Sequence, residues 1–194
     1  MELVQECERL VDRLERVPRL RSGTLTSVHH DLPRQTTESE VRMRRLNFLE
    51  DEPWDEVGDD LKRARWFGHA FGADVLGASL TEYLPGSPGG PLHMHYGVEE
   101  MFFVLSGTPT VRTPEGEEQL APGDVVYFPE GPDGLHDFSN PAGAPARVLG
   151  ISSKRFPDVV AYPERGTAWV ATRHPERPVP EGGDEGIIAR FELP

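Results

Sequence analysis

From residue 84 to residue 155 the chain cannot run far before a turn signal interrupts it. Pro85-Gly86 opens a loop that continues through Ser87-Pro88-Gly89-Gly90-Pro91. Ser106-Gly107, Pro114-Glu115-Gly116-Glu117, Pro122-Gly123-Asp124 and the Gly/Pro loop before His136 follow. A turn every ~8–12 residues leaves room for strands of ordinary length and is the spacing of a sandwich or barrel. Twenty glycines and nineteen prolines in 194 residues argue the same way, against a helix bundle. Strands are expected at Trp66-Phe67-Gly68, Val75–Leu84, Val125–Phe128 and Ala146–Ile151, and a hairpin joins Thr110–Thr113 to Gln119-Leu120. The run Met101–Leu105 reads as a strand buried on both faces, and Leu46–Leu49 as a short strand. The expected class is all-β.

The flanks differ from this core. Leu3, Cys7, Leu10, Leu14 and Val17 recur at helical spacing, so residues 1–17 read as an amphipathic helix stopped near Pro18. His29 and His30 are adjacent, so on a strand they face opposite ways and read as solvated. Six acidic residues lie between Asp51 and Asp60 without EF-hand spacing, which reads as a solvated loop. Beyond residue 156 prolines are frequent, and Trp169-Val170 and Ile187–Phe191 are the two apolar clusters. These clusters argue for a tail docked as an added edge strand, within or between subunits. The expected organisation is one domain overall: 1–60 an N-terminal helix and extension, 61–155 the barrel, 156–194 a docked extension.

A net charge of −13 repels phosphate backbones and anionic lipid, so nucleic acid and membrane surfaces are poor partners. No apolar run approaches the ~20 residues of a membrane span. The single cysteine and the absence of a basic-then-apolar stretch after Met1 fit a cytoplasmic protein.

Chemistry concentrates in Pro91-Leu92-His93-Met94-His95-Tyr96-Gly97-Val98-Glu99-Glu100. Alternate side chains of a strand share a face, so His93 and His95 can point the same way; on a helix the pair would diverge. Imidazole and carboxylate are ligands for zinc, iron, nickel or manganese. From these residues alone, neighbouring surface histidines in a Pro/Gly-rich loop remain an equal reading.

At this point the chain resembles the cupin superfamily, in particular small single-domain bacterial cupins. His93-Met94-His95, four residues, Glu100, six residues and Gly107 follow the first motif of that family, and the count to glycine selects Glu100 over Glu99. Gly123, Pro129, Gly131, His136 and Asn140 follow the second. Ser87 stands where the first motif has glycine, and four residues rather than two separate Gly131 from His136. The resemblance spans about residues 76–152. It implies a double-stranded β-helix, or jelly roll, with His93, His95, Glu100 and His136 binding one divalent metal per chain in the barrel mouth.

Residues sharing the ligands' parity should wall a pocket: Phe102 and Phe138, with Val104 more suited to the core. Tyr96, beside the ligands, is a further lining candidate. Asn140 and Asp124 read as turn residues. No lysine or second His/Glu pair names an acid–base mechanism, so no catalytic residue is assigned beyond the ligands. The implied function is metal-dependent chemistry on a small organic molecule, of the oxygenase or the isomerase/lyase type. The rival is a sensory or ligand-binding protein without turnover. Edges and apolar extensions also predict a homodimer.

Overall fold

The computed structural model describes residues 45–48, 54, 56–58, 61–73, 75–171 and 187–193. The helix expected at 1–17, together with His29 and His30, lies outside them. The described residues contain thirteen strands, one short α-helix and two 3-10 turns, Pro132–Gly134 and Pro163–Arg165. In chain order the strands are β1 (Glu56–Gly58), β2 (Lys62–Trp66), β3 (Leu76–Tyr83), β4 (Met94–His95), β5 (Glu100–Ser106) and β6 (Thr110–Thr113). They continue as β7 (Gly116–Gln119), β8 (Val125–Phe128), β9 (Asp137–Ser139), β10 (Ala146–Ser153), β11 (Asp158–Tyr162), β12 (Thr167–Ala171) and β13 (Ile187–Glu192). A single helical turn, α1 (Phe67–Ala70), follows β2. No helix among these residues is long and apolar enough to cross a membrane.

Every strand pairing among the described residues is antiparallel. One sheet runs β1-β2-β3-β10-β5-β8, a second β13-β12-β11-β4 and a third β7-β6-β9. Two bridges, Ser87 to Asn140 and His93 to His136, stitch the chain before β4 to the ends of β9. The second and third sheets thereby lie side by side, facing the first in the manner of a jelly-roll barrel. Between them Tyr83, Val104, Val111, Leu120, Phe128, Phe138 and Val148 pack as one core. A second core lies behind the four-stranded sheet, where Met94, Val159, Ala161, Ala168 and Val170 meet Leu193. These residues alternate with His95, Asp158, Val160, Tyr162 and Trp169, whose side of the sheet faces a cavity.

Three local expectations need correcting. Phe67 and Gly68 begin α1 instead of extending a strand, and Phe67 packs against Phe48 with ring centroids 5.9 Å apart. Residues 46–48 form no strand. The Met101–Leu105 run is buried on one face only, because Met101 points away from the barrel and is 39% exposed. Apolarity alone could not separate a two-sided core strand from a barrel wall with an apolar outer face.

Two turn residues behave as read. Asn140 is fully buried; its Nδ2 donates to the carbonyls of Tyr83 and Ala144, each at 2.9 Å, and so ties β3 to the loop before β10. Asp124 Oδ2 accepts from the Ala121 amide at 2.7 Å. The loop glycine Gly107 has φ +75°, and a Cβ there would lie 2.5 Å from the Ala146 Cα. Only glycine suits a left-handed turn at that closeness.

Candidate metal centre

Backbone pairing brings His93 and His136 together. Each amide donates to the other residue's carbonyl at 3.0 Å, so the two face one another as a hydrogen-bonded antiparallel pair. Opposed residues of such a pair project to the same side, and the two rings stand 4.6 Å apart. His95, two residues beyond His93, turns the same way, its ring 5.5 Å from that of His93. Glu100 opens β5 and reaches the cluster from the six-stranded sheet. Its Oε2 lies 3.5 Å from His136 Nε2 and 3.7 Å from His95 Nε2. One ligand atom from each of His93, Glu100 and His136 falls within 4.8 Å of the other two.

That Glu100 oxygen is buried and accepts no hydrogen bond among the described residues. A polar oxygen enclosed without a donor is costly, and a cation in front of it would remove the cost. The donor set also suits a divalent ion, since imidazole nitrogens and a carboxylate oxygen are what zinc and its first-row neighbours take. The residues therefore fit a metal.

Two of the three imidazoles, those of His136 and His95, are aimed by a partner behind them. His136 Nδ1 meets the Gly134 carbonyl at 2.8 Å; a carbonyl can only accept, so the hydrogen sits on Nδ1 and the Nε2 lone pair turns toward Glu100. The longer interval between Gly131 and His136 supplies this partner. Pro132–Gly134 is one 3-10 turn, anchored by the Gly131 amide donating to the His95 carbonyl at 2.7 Å. A Cβ on Gly134 would overlap the Pro129 carbonyl oxygen. His95 Nδ1 is held by Asp158 Oδ2 at 2.6 Å, and Asp158 Oδ1 accepts from the Gly97 amide at 2.9 Å.

Burial shifts the titration of the cluster. Desolvation, then the nearby charges of His136, His95 and Lys62, hold His93 well below the ordinary histidine pKa. Burial also lowers His136, although Glu100 opposes it. Both therefore favour the neutral form that binds metals. Aromatic rings enclose His136: Phe128 stacks on it at 3.8 Å and 7°, and Phe102 lies 5.5 Å away.

The cluster opens into a cavity of about 920 Å³. Phe102 and Phe138 lie on its wall, while Val104 belongs to the core beneath. Tyr96 does not line it. Lying one residue past His95, it points to the opposite side and packs on the second core, against the group containing Met94 and Val159. Sequence reasoning passed over Asp158 and Tyr162. Tyr162 stacks on His93 with centroids 5.8 Å apart and touches Trp169 edge-on at 6.0 Å. The alternation Asp158, Val160, Tyr162 was the available signal, but only the pairing of β11 with β4, His95 opposite Val160, tells which face it serves.

Comparison with known families agrees with this geometry. The family model described as Cupin domain matches residues 79–152. The matched segment, residues 79–152, is a cupin-type domain. Among solved structures, this chain resembles a protein of Acidithiobacillus ferrooxidans provisionally named a sugar phosphate isomerase: 25% identity, TM-score 0.56, covering 68% of this chain and 76% of that one. A sugar phosphate isomerase of the cupin superfamily from Silicibacter pomeroyi shows 26% identity and TM-score 0.54, over 64% of this chain and 83% of that one. A polyketide cyclase from Streptomyces resistomycificus shows 25% identity and TM-score 0.51, over 60% and 84%. No curated protein matches the chain significantly in sequence. His93, Glu100 and His136 all lie inside the matched segment, whereas Asp158 and Tyr162 lie beyond it.

Proposed function

We propose that this cupin is a metal-dependent enzyme of the isomerase type, acting on a small hydroxylated carbonyl compound. The observation that carries the reading is the buried, hydrogen-bond-free Oε2 of Glu100, set among His93, His95 and His136 at an open cavity. His93, His95, Glu100 and His136 would hold one divalent ion, which when bound supplies Lewis-acid polarisation of a carbonyl or hydroxyl oxygen. The likeness to two proteins named sugar phosphate isomerases supports this over oxygenase chemistry. So do the polar groups on the wall. Burial raises the Tyr162 pKa, so its hydroxyl stays protonated and can donate to substrate. Burial also raises the Asp137 carboxyl above its ordinary value, against the hydrogen bond from the Gly90 amide.

The test uses protein reconstituted with each candidate metal and a panel of phosphorylated and free sugars in heavy water. Isomerase chemistry predicts metal-dependent exchange of the hydrogen next to the carbonyl, followed by proton NMR. Oxygen consumption coupled to substrate loss would replace this reading with an oxygenase. Stoichiometric metal with no exchange across the panel would replace it with a binding protein. We also infer a homodimer through the outer face of the six-stranded sheet, where Val125, Tyr127, Met101 and Ile151 are exposed. A monomer by light scattering at micromolar concentration would reject that.

A further inference from the structure

Three polar side chains around His93 come from outside the matched segment: Lys62 on β2, Tyr162 closing β11, and Arg165 in the turn that follows. All three line the cavity. Tyr162 stacks on His93, and the Arg165 guanidinium carbon lies 5.9 Å from the Tyr162 ring centroid. Lys62 comes close enough for its charge to be felt at His93 and at Asp137. Neither the Lys62 ammonium nor the Arg165 guanidinium makes an ion pair or hydrogen bond among the described residues. Other arginines are committed: Arg63 and Arg147 to Glu82, Arg112 to Glu164 and Arg155 to Glu130. The remaining cation of the wall, Lys154, is 7% exposed and buried in the structure. In a chain of net charge −13, Lys62 and Arg165 bring two side-chain cations that are not ion-paired among the described residues to a wall that also carries Asp137 and Asp158.

We propose that Lys62, Arg165 and the Tyr162 hydroxyl form a subsite for the phosphate group of a phosphorylated substrate, next to His93. This rests on the reading of the cavity given above. The chemistry matches in number and kind: an ammonium point charge, a guanidinium fork and a neutral hydroxyl donor face three phosphate oxygens. A planar carboxylate would be satisfied by the guanidinium alone and would leave Lys62 unused. A phosphate held at this rim leaves the rest of the molecule to reach Glu100 and the histidines. The segments flanking the matched barrel thereby acquire a role in choosing the substrate.

The experiment is calorimetric titration of the metal-loaded full chain with inorganic phosphate and, separately, malonate. Wild type should bind phosphate in preference to malonate. The double variant Lys62→Gln, Arg165→Gln should bind phosphate about tenfold or more weakly, with metal content unchanged. Arg165→Lys should restore part of the loss by keeping the charge. Equal phosphate affinity in wild type and double variant would overturn the subsite, as would tighter binding of malonate. The two proposals also fail separately. Variant-sensitive phosphate binding with no exchange on any sugar sinks the isomerase reading and leaves the subsite. Sugar phosphate turnover whose KM ignores both substitutions does the reverse.

Discussion

Asp158→Asn changes a single oxygen to nitrogen and should still weaken metal binding substantially. Asp158 is 3% exposed and serves two donors, His95 Nδ1 through Oδ2 and the Gly97 amide through Oδ1. An asparagine has one acceptor oxygen for these two donors. If that oxygen stays with Gly97, the new amide nitrogen confronts His95 Nδ1, and the ring must move its hydrogen to Nε2. That move removes the lone pair now turned toward Glu100, 3.7 Å away. If the oxygen instead turns to His95, two N–H groups oppose each other at Gly97. In the first case both hydrogen bonds survive and the cost falls on the His95 tautomer; in the second a hydrogen bond is lost where water cannot replace it, at a cost of about 1–2 kcal/mol. Loss of a partner behind a metal-bound imidazole lowers affinity by roughly 10–100-fold, or about 1.4–2.8 kcal/mol. Competition against a chromophoric chelator measures the affinity, and urea denaturation of the metal-free protein measures the stability. An affinity indistinguishable from wild type would refute the reasoning.

His93→Ala and His136→Ala should each lower metal content sharply by elemental analysis while the barrel stays folded. Only the second should also destabilise, by about 2 kcal/mol, because it empties a 2% exposed site stacked on Phe128. Gly134→Ala should reduce both stability and metal affinity, since the new methyl displaces the turn whose carbonyl aims His136; wild-type metal binding would contradict this. Glu82→Ala removes a carboxylate shared by Arg63 and Arg147, which are about a third exposed. Two arginines left without their shared partner at a half-open site should cost about 2–4 kcal/mol in denaturant unfolding, and a loss within error of zero would show the cluster to be idle. The metal-free protein should weaken on acidification. Burial holds His93 and His136 below 6.5, so the unfolded chain takes up their protons first. Above about pH 6.5 neither state is protonated and stability is level. As pH falls below that value stability declines, by up to about 1.4 kcal/mol per unit for each histidine, until the folded pKa is passed. A flat urea midpoint from pH 7 to pH 5 would count against this.

What could be read early in this molecule was local. Turn residues recur at strand spacing, and backbone alternation is a property of a few adjacent residues, so an all-β barrel and a shared direction for His93 and His95 follow without any long-range information. The same rule, applied from the ligand positions, put Phe102 and Phe138 toward the cavity, and ignoring it put Tyr96 there wrongly. The face of Met101 was not readable, because an apolar side chain carries no mark of whether protein or solvent lies opposite it. Nor was the length of the Gly131–His136 loop interpretable until it proved to be a turn whose carbonyl orients the imidazole.

Short-range order thus determined by itself the fold class, the sheet faces of the histidine pair and the turn duties of Asn140 and Asp124. Tertiary structure alone decided that His136 sits opposite His93, that Asp158 stands behind His95, and that Lys62, Tyr162 and Arg165 share one cavity with them. These are consequences of strand register. β11 pairs with β4 as Val160 opposite His95, and a slip of one residue would send Asp158 and Tyr162 into the core behind the sheet.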